Sequence, residues 1–248
     1  MSDAWIPGVG RVRGGVDGGQ LRGGAPRVVW QTLGADPGTV SARSAAQRLD
    51  QHAQACHLVW NPLQGEIVQL IPILRAGRSL GWPEKLSQTT DETSADEVAG
   101  VNTEGRICAQ ICVVAFAEDP FTSWPMTGLQ QILDWLDSWS VPRRWPAGPP
   151  APFPHGLTTR GDRRLWAQGG YFGASQVPGL TVAGPGAIDI ERLTAGGGQP
   201  GRAPAETTAM PMPGGPGQQV RPAAELRDLD GYFDHDEAGA TGALSRVG

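Results

Sequence analysis

The sequence predicts an α/β fold, a mixed central β-sheet flanked by helices. Three observations carry this expectation. Short apolar runs rich in β-branched residues, Arg27-Val28-Val29-Trp30-Gln31 and Ile107–Phe116, read as buried strands. Leu129, Ile132, Leu133, Leu136 and Trp139 recur at the period of an amphipathic helix that covers a sheet. Strand, helix, strand, strand, then a later strand and helix is an order that builds a sheet with helices packed on it.

Taken in order, residues 1–24 alternate Gly with Arg and Val without an amphipathic period and are expected to form a mobile arm. The first strand follows, bounded by Pro26 and by Gly34-Ala35-Asp36-Pro37-Gly38. Ser41 and Ser44 open an Ala-rich helix running through Gln54, with Ala45, Ala46, Leu49 and Ala53 on one face. His57–Trp60 and Ile67–Ile71 read as two strands of a hairpin turned by Asn61-Pro62-Leu63-Gln64-Gly65. Residues 83–104 are polar and acidic, hence an exposed loop. Ile107–Phe116, the most continuous apolar run, is expected to be the central strand, and the prolines from 142 to 154 force an extended crossing. The stretch Gly169–Ile190, G-G-Y-F-G-A-S-Q-V-P-G-L-T-V-A-G-P-G-A-I-D-I, is long, rich in Gly and Pro, and of the kind that is usually functional. A last helix is expected over Ala187–Ala195. The domain therefore spans 25–195, and 196–248, dominated by Gly, Pro, Ala and acidic residues, lacks the apolar content to bury a core.

Composition narrows the function classes. A chain of 248 residues holds one domain and its tails. The net charge is −5 and no basic cluster is present, which argues against a nucleic-acid partner. Three cysteines, Cys56, Cys108 and Cys112, are too few and too unevenly spaced for a disulfide scaffold. The first residues lack the basic and apolar regions of a secretory signal, so the expected location is cytoplasmic as synthesised, with any arrival outside the cell by another route. No window approaches the roughly 20 apolar residues of a membrane span. The acidic cluster Asp228–Glu237 lacks the spacing of a calcium loop and reads as a solvated patch.

Four motifs occur in one order: V-V-W-Q-T-x-G at 28–34, H-L-V-W-N-P-L-Q-G-E-I-V-Q-L-I-P at 57–72, Q-I-C-V-V-A-F at 110–116, and the closing stretch at 169–190. Together they resemble the zinc-dependent N-acetylmuramoyl-L-alanine amidases of the peptidoglycan-recognition type, an endolysin-like family, from about Arg27 to Leu193. The resemblance implies a groove for peptidoglycan and, in the family, one zinc ion held by two histidines and a third ligand with an open position for water. Carried over position by position, the first histidine falls on Gln31, the second on Ala174 and the third ligand on Gly184. The strand carboxylate falls on Cys112 and the oxyanion-side cation on Val182.

Alanine and glycine side chains have no lone pair to offer a metal, and a carboxamide is a poor substitute for imidazole. Without the ion its water is a weak nucleophile, and Cys112 and Val182 supply neither base nor cation. The expectation is therefore a catalytically inactive, amidase-like domain without a cofactor. It would bind a peptidoglycan fragment, or dock a protein partner in a larger assembly such as a phage-derived particle. His57, Trp124, Ser175 and Gln176 are the candidate ligand contacts, and Trp124, Trp145 and Trp166 are weighed as stacking platforms against ordinary core packing. Two alternatives stay open at this point. One is an active amidase whose zinc ligands come from other positions. The other is a thiol hydrolase using Cys112 with one of His52, His57, His155 or His235. A metal set of Cys108, Cys112 and His57 is also conceivable, although buried packing is the ordinary role of such cysteines.

Overall fold

The computed structural model describes residues 2–13, 16–80 and 100–195. Its strands are β1 (Gly10–Arg11), β2 (Arg27–Thr32), β3 (Leu58–Asn61), β4 (Glu66–Gln69), β5 (Cys108–Val113) and β6 (Gly170–Gly173). They form one six-stranded sheet in the order β1-β4-β3-β5-β2-β6. β3 and β4 are the antiparallel hairpin, while β2 pairs in parallel with both β5 and β6, and β3 in parallel with β5. The sheet is mixed, and all six residues of β5 are buried, as its apolar run predicts.

Helices α1 (Ala42–Gln51) and α2 (Leu129–Ser138) cover opposite faces. Ser41 caps α1 by accepting from Ser44 N at 3.0 Å, and Glu66 adds a carboxylate at the same end, accepting from Ala42 N at 2.7 Å. Ala42, Ala45 and Ala46 then pack against Val59, Val68 and Cys112. α1 stops at Gln51, short of the expected Gln54, because Ala53 turns to a φ of +52°. On the other face Leu129, Ile132, Leu133 and Leu136 of α2 meet Trp30, Trp60, Ile111 and Tyr171. Two further short helices are α3 (Arg163–Ala167) and α4 (Ile190–Ala195). α4 begins three residues later than the expected Ala187, where Asp189 Oδ1 accepts from Glu191 N and Arg192 N at 3.0 and 3.1 Å.

Asn61 shows how the hairpin holds its register. Its side-chain oxygen accepts from Leu63 N and Gln64 N, both at 3.0 Å, and its amide donates to Pro37 O and Val40 O at 2.8 and 3.0 Å. One buried residue thus ties the turn to the approach of α1.

The N-terminal segment corrects the expectation of a mobile arm. Ile6 is 1% exposed, β1 adds to the edge of β4, and Gln20 and Gly23 bridge to Arg75 and Gly105. Gln69, in β4, is the anchor: its oxygen accepts from Ile6 N at 2.7 Å and its amide donates to Ala4 O and Ile71 O at 3.0 Å. Trp135 of α2 donates to Asp3 O at 2.9 Å. A Gly/Arg alternation hides such a strap because its contacts are mainly backbone ones, which carry no side-chain period. Gln69→Leu is expected to strand two buried backbone groups, at a cost of about 1–3 kcal/mol. The predicted readout is faster amide exchange at Ala4–Arg11 than at β5.

The closing stretch is also more regular than expected. Gly170–Gly173 is a strand in register with β2, and Ala174–Gln176 a turn of 3-10 helix. In the expected 83–104 loop, residues 100–103 are helical and Val101, Asn102 and Thr103 are buried; residues 81–99 lie outside the described part. So does the 196–248 tail. No helix among the described residues is long and apolar enough to cross a membrane.

Candidate functional site

Side chains alternate along β2 and β5, so Val29 and Gln31 share one face with Cys108, Gln110 and Cys112, while Val28, Trp30 and Ile111 line the other. Gln31 stands near the carboxyl end of β2, where an α/β sheet with parallel strands commonly opens a crevice. Its Nε2 donates to Cys112 Sγ at 3.2 Å and, in a short bond, to Ser79 Oγ. Ala174 and Val182 pack in the cluster that holds Val29, Cys108 and Phe172. Gly184 O accepts from Ser175 N at 2.9 Å, and a Cβ at Gly184 would stand 2.6 Å from Thr32 Oγ1. Cys112 thus lies against Gln31, Gly184 against the neighbouring Thr32, and Ala174 directly after β6, with Val182 packed on the cluster that holds Ala174. The lone-pair donors among Gln31, Cys112, Ala174, Val182 and Gly184 are a carboxamide and a thiol.

Zinc chemistry does not fit this set. Ala174 and Gly184 supply no ligand, and among the described residues no three His, Cys, Asp or Glu side chains converge.

Behind Gln31 lies a buried polar chain that sequence reasoning missed. Gln110 is 0% exposed. Its Oε1 accepts from Ser79 N at 3.0 Å and Ser79 Oγ at 2.8 Å, and its Nε2 donates to Asn102 Oδ1 at 2.7 Å. Gly77 is required beside it, because any Cβ there would run into the Gln110 carboxamide. The available signal was a single polar letter inside the apolar run I-C-A-Q-I-C-V-V-A-F.

His57 is a structural residue and not a ligand contact, which corrects one expectation. It is 0% exposed; Nδ1 accepts from Gln110 N at 2.9 Å, so Nε2 carries the proton and donates to Arg75 O at 2.8 Å. Burial pushes its pKa down to about 4. Both nitrogens are committed, so His57 cannot serve Cys112 as a base. His52 and His155 are exposed, His52 at the end of α1 and His155 in the turn His155–Thr158, and His235 is outside the described residues. The thiol-hydrolase alternative thus loses its one nearby base. The metal set of Cys108, Cys112 and His57 fails likewise: Gln110 separates the two cysteines, and they pack in different clusters. Burial raises the Cys108 thiol to about 12, and burial followed by the neighbouring Cys112 thiol pushes Cys56 well up, so these two stay protonated.

The other expected contacts are buried or packed within the fold. Gln176 Oε1 accepts from Trp145 Nε1 and Gly173 N at 2.7 and 3.0 Å, while its Nε2 donates to Gly148 O at 2.8 Å. Trp145 packs on Tyr171, and Trp166, 1% exposed, lies under the Arg27 guanidinium at 4.3 Å and donates to Glu104 at 2.7 Å. Trp124 belongs to the cluster on the opposite face of the sheet from Gln31. None of the three is a free stacking platform. Ser175 is fully buried, and its Oγ has no partner among the described residues.

These features describe an α/β protein with a mixed sheet and a buried polar chain behind Gln31, near the carboxyl end of β2. Comparison with solved structures finds likenesses to three chains. The endolysin N-acetylmuramoyl-L-alanine amidase LysCS from Clostridium intestinale is 12% identical over 77% of this chain and 96% of its own, with a TM-score of 0.42. The N-acetylmuramoyl-L-alanine amidase LysC from the same organism is 13% identical over 76% and 96%, at 0.41. The endolysin of the Thermus scotoductus bacteriophage Ph2119 is 10% identical over 73% and 91%, at 0.38. No protein-family profile and no curated protein matches the chain.

Proposed function

We infer that this chain is an amidase-like binding domain that holds a peptidoglycan fragment without hydrolysing it. What supports this reading is the Gln31–Cys112 contact near the end of β2, with Gly184 against the neighbouring Thr32 and with Ala174 and Val182 in one cluster. The four-motif resemblance assigns Gln31, Cys112, Ala174, Val182 and Gly184 to metal, base and oxyanion stabiliser, and here they bear a carboxamide, a thiol, a methyl group, an isopropyl group and a hydrogen. A site with that chemistry binds an amide and does not activate water against it.

The test is co-sedimentation of the purified protein with insoluble peptidoglycan, alongside metal analysis and an assay for released peptide. The expected result is retention on the pellet, zinc well below one ion per chain, and no peptide release. Stoichiometric zinc with peptide release would establish the active-amidase alternative, and absence from the pellet would overturn the binding role. A variant carrying Gln31→His, Ala174→His and Gly184→Asp checks the positional correspondence. It includes Thr32→Ala, since Thr32 Oγ1 obstructs a side chain at 184. It is expected to acquire zinc.

A further inference from the structure

We propose that Gln31 is a specificity residue that presents a carboxamide oxygen, and so selects a ligand bearing an N–H donor at this point; the proposal rests on the binding role inferred above. The direction of the amide follows from donor and acceptor counting along the buried chain. Gln110 gives its amide hydrogen to Asn102 Oδ1, which leaves its oxygen facing Ser79. That oxygen takes the hydrogens of both Ser79 N and Ser79 Oγ. A hydroxyl has one hydrogen, so Ser79 Oγ has lone pairs alone to turn toward Gln31. Gln31 must then meet it with Nε2, and the second hydrogen of the same group goes to Cys112 Sγ at 3.2 Å.

With both hydrogens used, the free group of Gln31 is Oε1, which has no partner among the described residues. Gln31 is half-buried at the rim while Gln110 and Asn102 are fully buried, so the polarity is set inside the core and read out at the surface. Turning the Gln31 amide over would place oxygen against oxygen at Ser79 and leave the hydrogens of Nε2 without these acceptors. The ligand class that satisfies Oε1 is an N–H donor, such as the backbone amide of a stem peptide. An ester in the same place brings another lone pair and is rejected.

Two measurements on the full chain test this. In the free protein, the Gln31 side-chain amide protons should exchange with water more slowly than those of the exposed Gln130, and Ser79→Ala should release them. The binding probe is a muramoyl dipeptide, compared with its analogue in which the first peptide amide is replaced by an ester. The native chain is expected to favour the amide by roughly tenfold, and Gln31→Leu and Ser79→Ala to erase most of that preference, with folding checked by circular dichroism. Freely exchanging Gln31 protons would overturn the proposal whatever binds. Protected protons with equal binding of amide and ester would overturn it and leave the peptidoglycan reading standing. Failure of both probes to bind would remove that reading, and the ligand assignment with it.

Discussion

Trp30→Ala is expected to destabilise the fold by about 3–5 kcal/mol, a large part of the roughly 5–15 kcal/mol that holds a domain together. Trp30 sits in β2, between β5 and β6, and is 0% exposed. Its ring meets Trp60 at 6.1 Å and 67°, Phe121 at 6.5 Å, and Tyr171 at 6.2 Å. These rings lie under α2, so truncation opens a cavity lined by rigid aromatic groups and strand backbone, which cannot collapse to fill it. The indole Nε1 has no hydrogen-bond partner among the described residues, so Trp30→Phe, which removes that group and keeps a ring, should cost markedly less than Trp30→Ala. Urea denaturation of the three proteins gives the ranking. Equal losses for Phe and Ala would mean that packing is not what Trp30 contributes.

The second large effect is one of pH. His57 is neutral in the folded protein, with its pKa lowered to about 4 from the ordinary 6.5 by burial. Below pH 6.5 the unfolded chain takes up a proton that the folded chain refuses, so the unfolded state binds more protons between pH 6.5 and 4 and stability falls as the pH drops through that window. At about 1.4 kcal/mol per pH unit the loss reaches roughly 3 kcal/mol near pH 4. Asp17, held low chiefly by its hydrogen bond to Arg75, adds a loss of the same sign but at lower pH, below its ordinary 3.8. The two windows therefore separate. The expected measurement is an unfolding free energy that is level near pH 7 and declines between 6.5 and 4. His57→Gln should remove that slope whatever its own stability. A slope unchanged in His57→Gln would assign the effect elsewhere.

The strands and α2 were legible because their signals are local. Leu129, Ile132, Leu133 and Leu136 declare a helix face by spacing, and C-A-Q-I-C-V declares a strand buried on both faces by continuity. Motif order assigns Gln31, Cys112, Ala174, Val182 and Gly184 to one group. What those residues do to each other was not legible. Ser79 and Asn102 belong to no motif, and Gln110, quoted within one, looked like a tolerated polar letter. Their meaning lies in which hydrogen each can spare. His57 was read as a ligand contact, yet its partners are a backbone amide from β5 and a carbonyl 18 residues away. The strap at residues 2–13 was invisible for a related reason, since Gln69 receives it through backbone groups that every residue shares.

By itself the sequence determined the sheet-and-helix class, the buried strands and helix faces, and the chemical poverty of the five positions that motif order groups. These follow from side-chain identity and from spacing along the chain. The tertiary structure alone decided that the N-terminal segment closes the sheet edge, that the tryptophans are spent in packing, and that a buried glutamine fixes which end of Gln31 faces outward. Hydrogen bonds between residues distant in sequence have directions, and a direction exists only once donor and acceptor have been brought face to face.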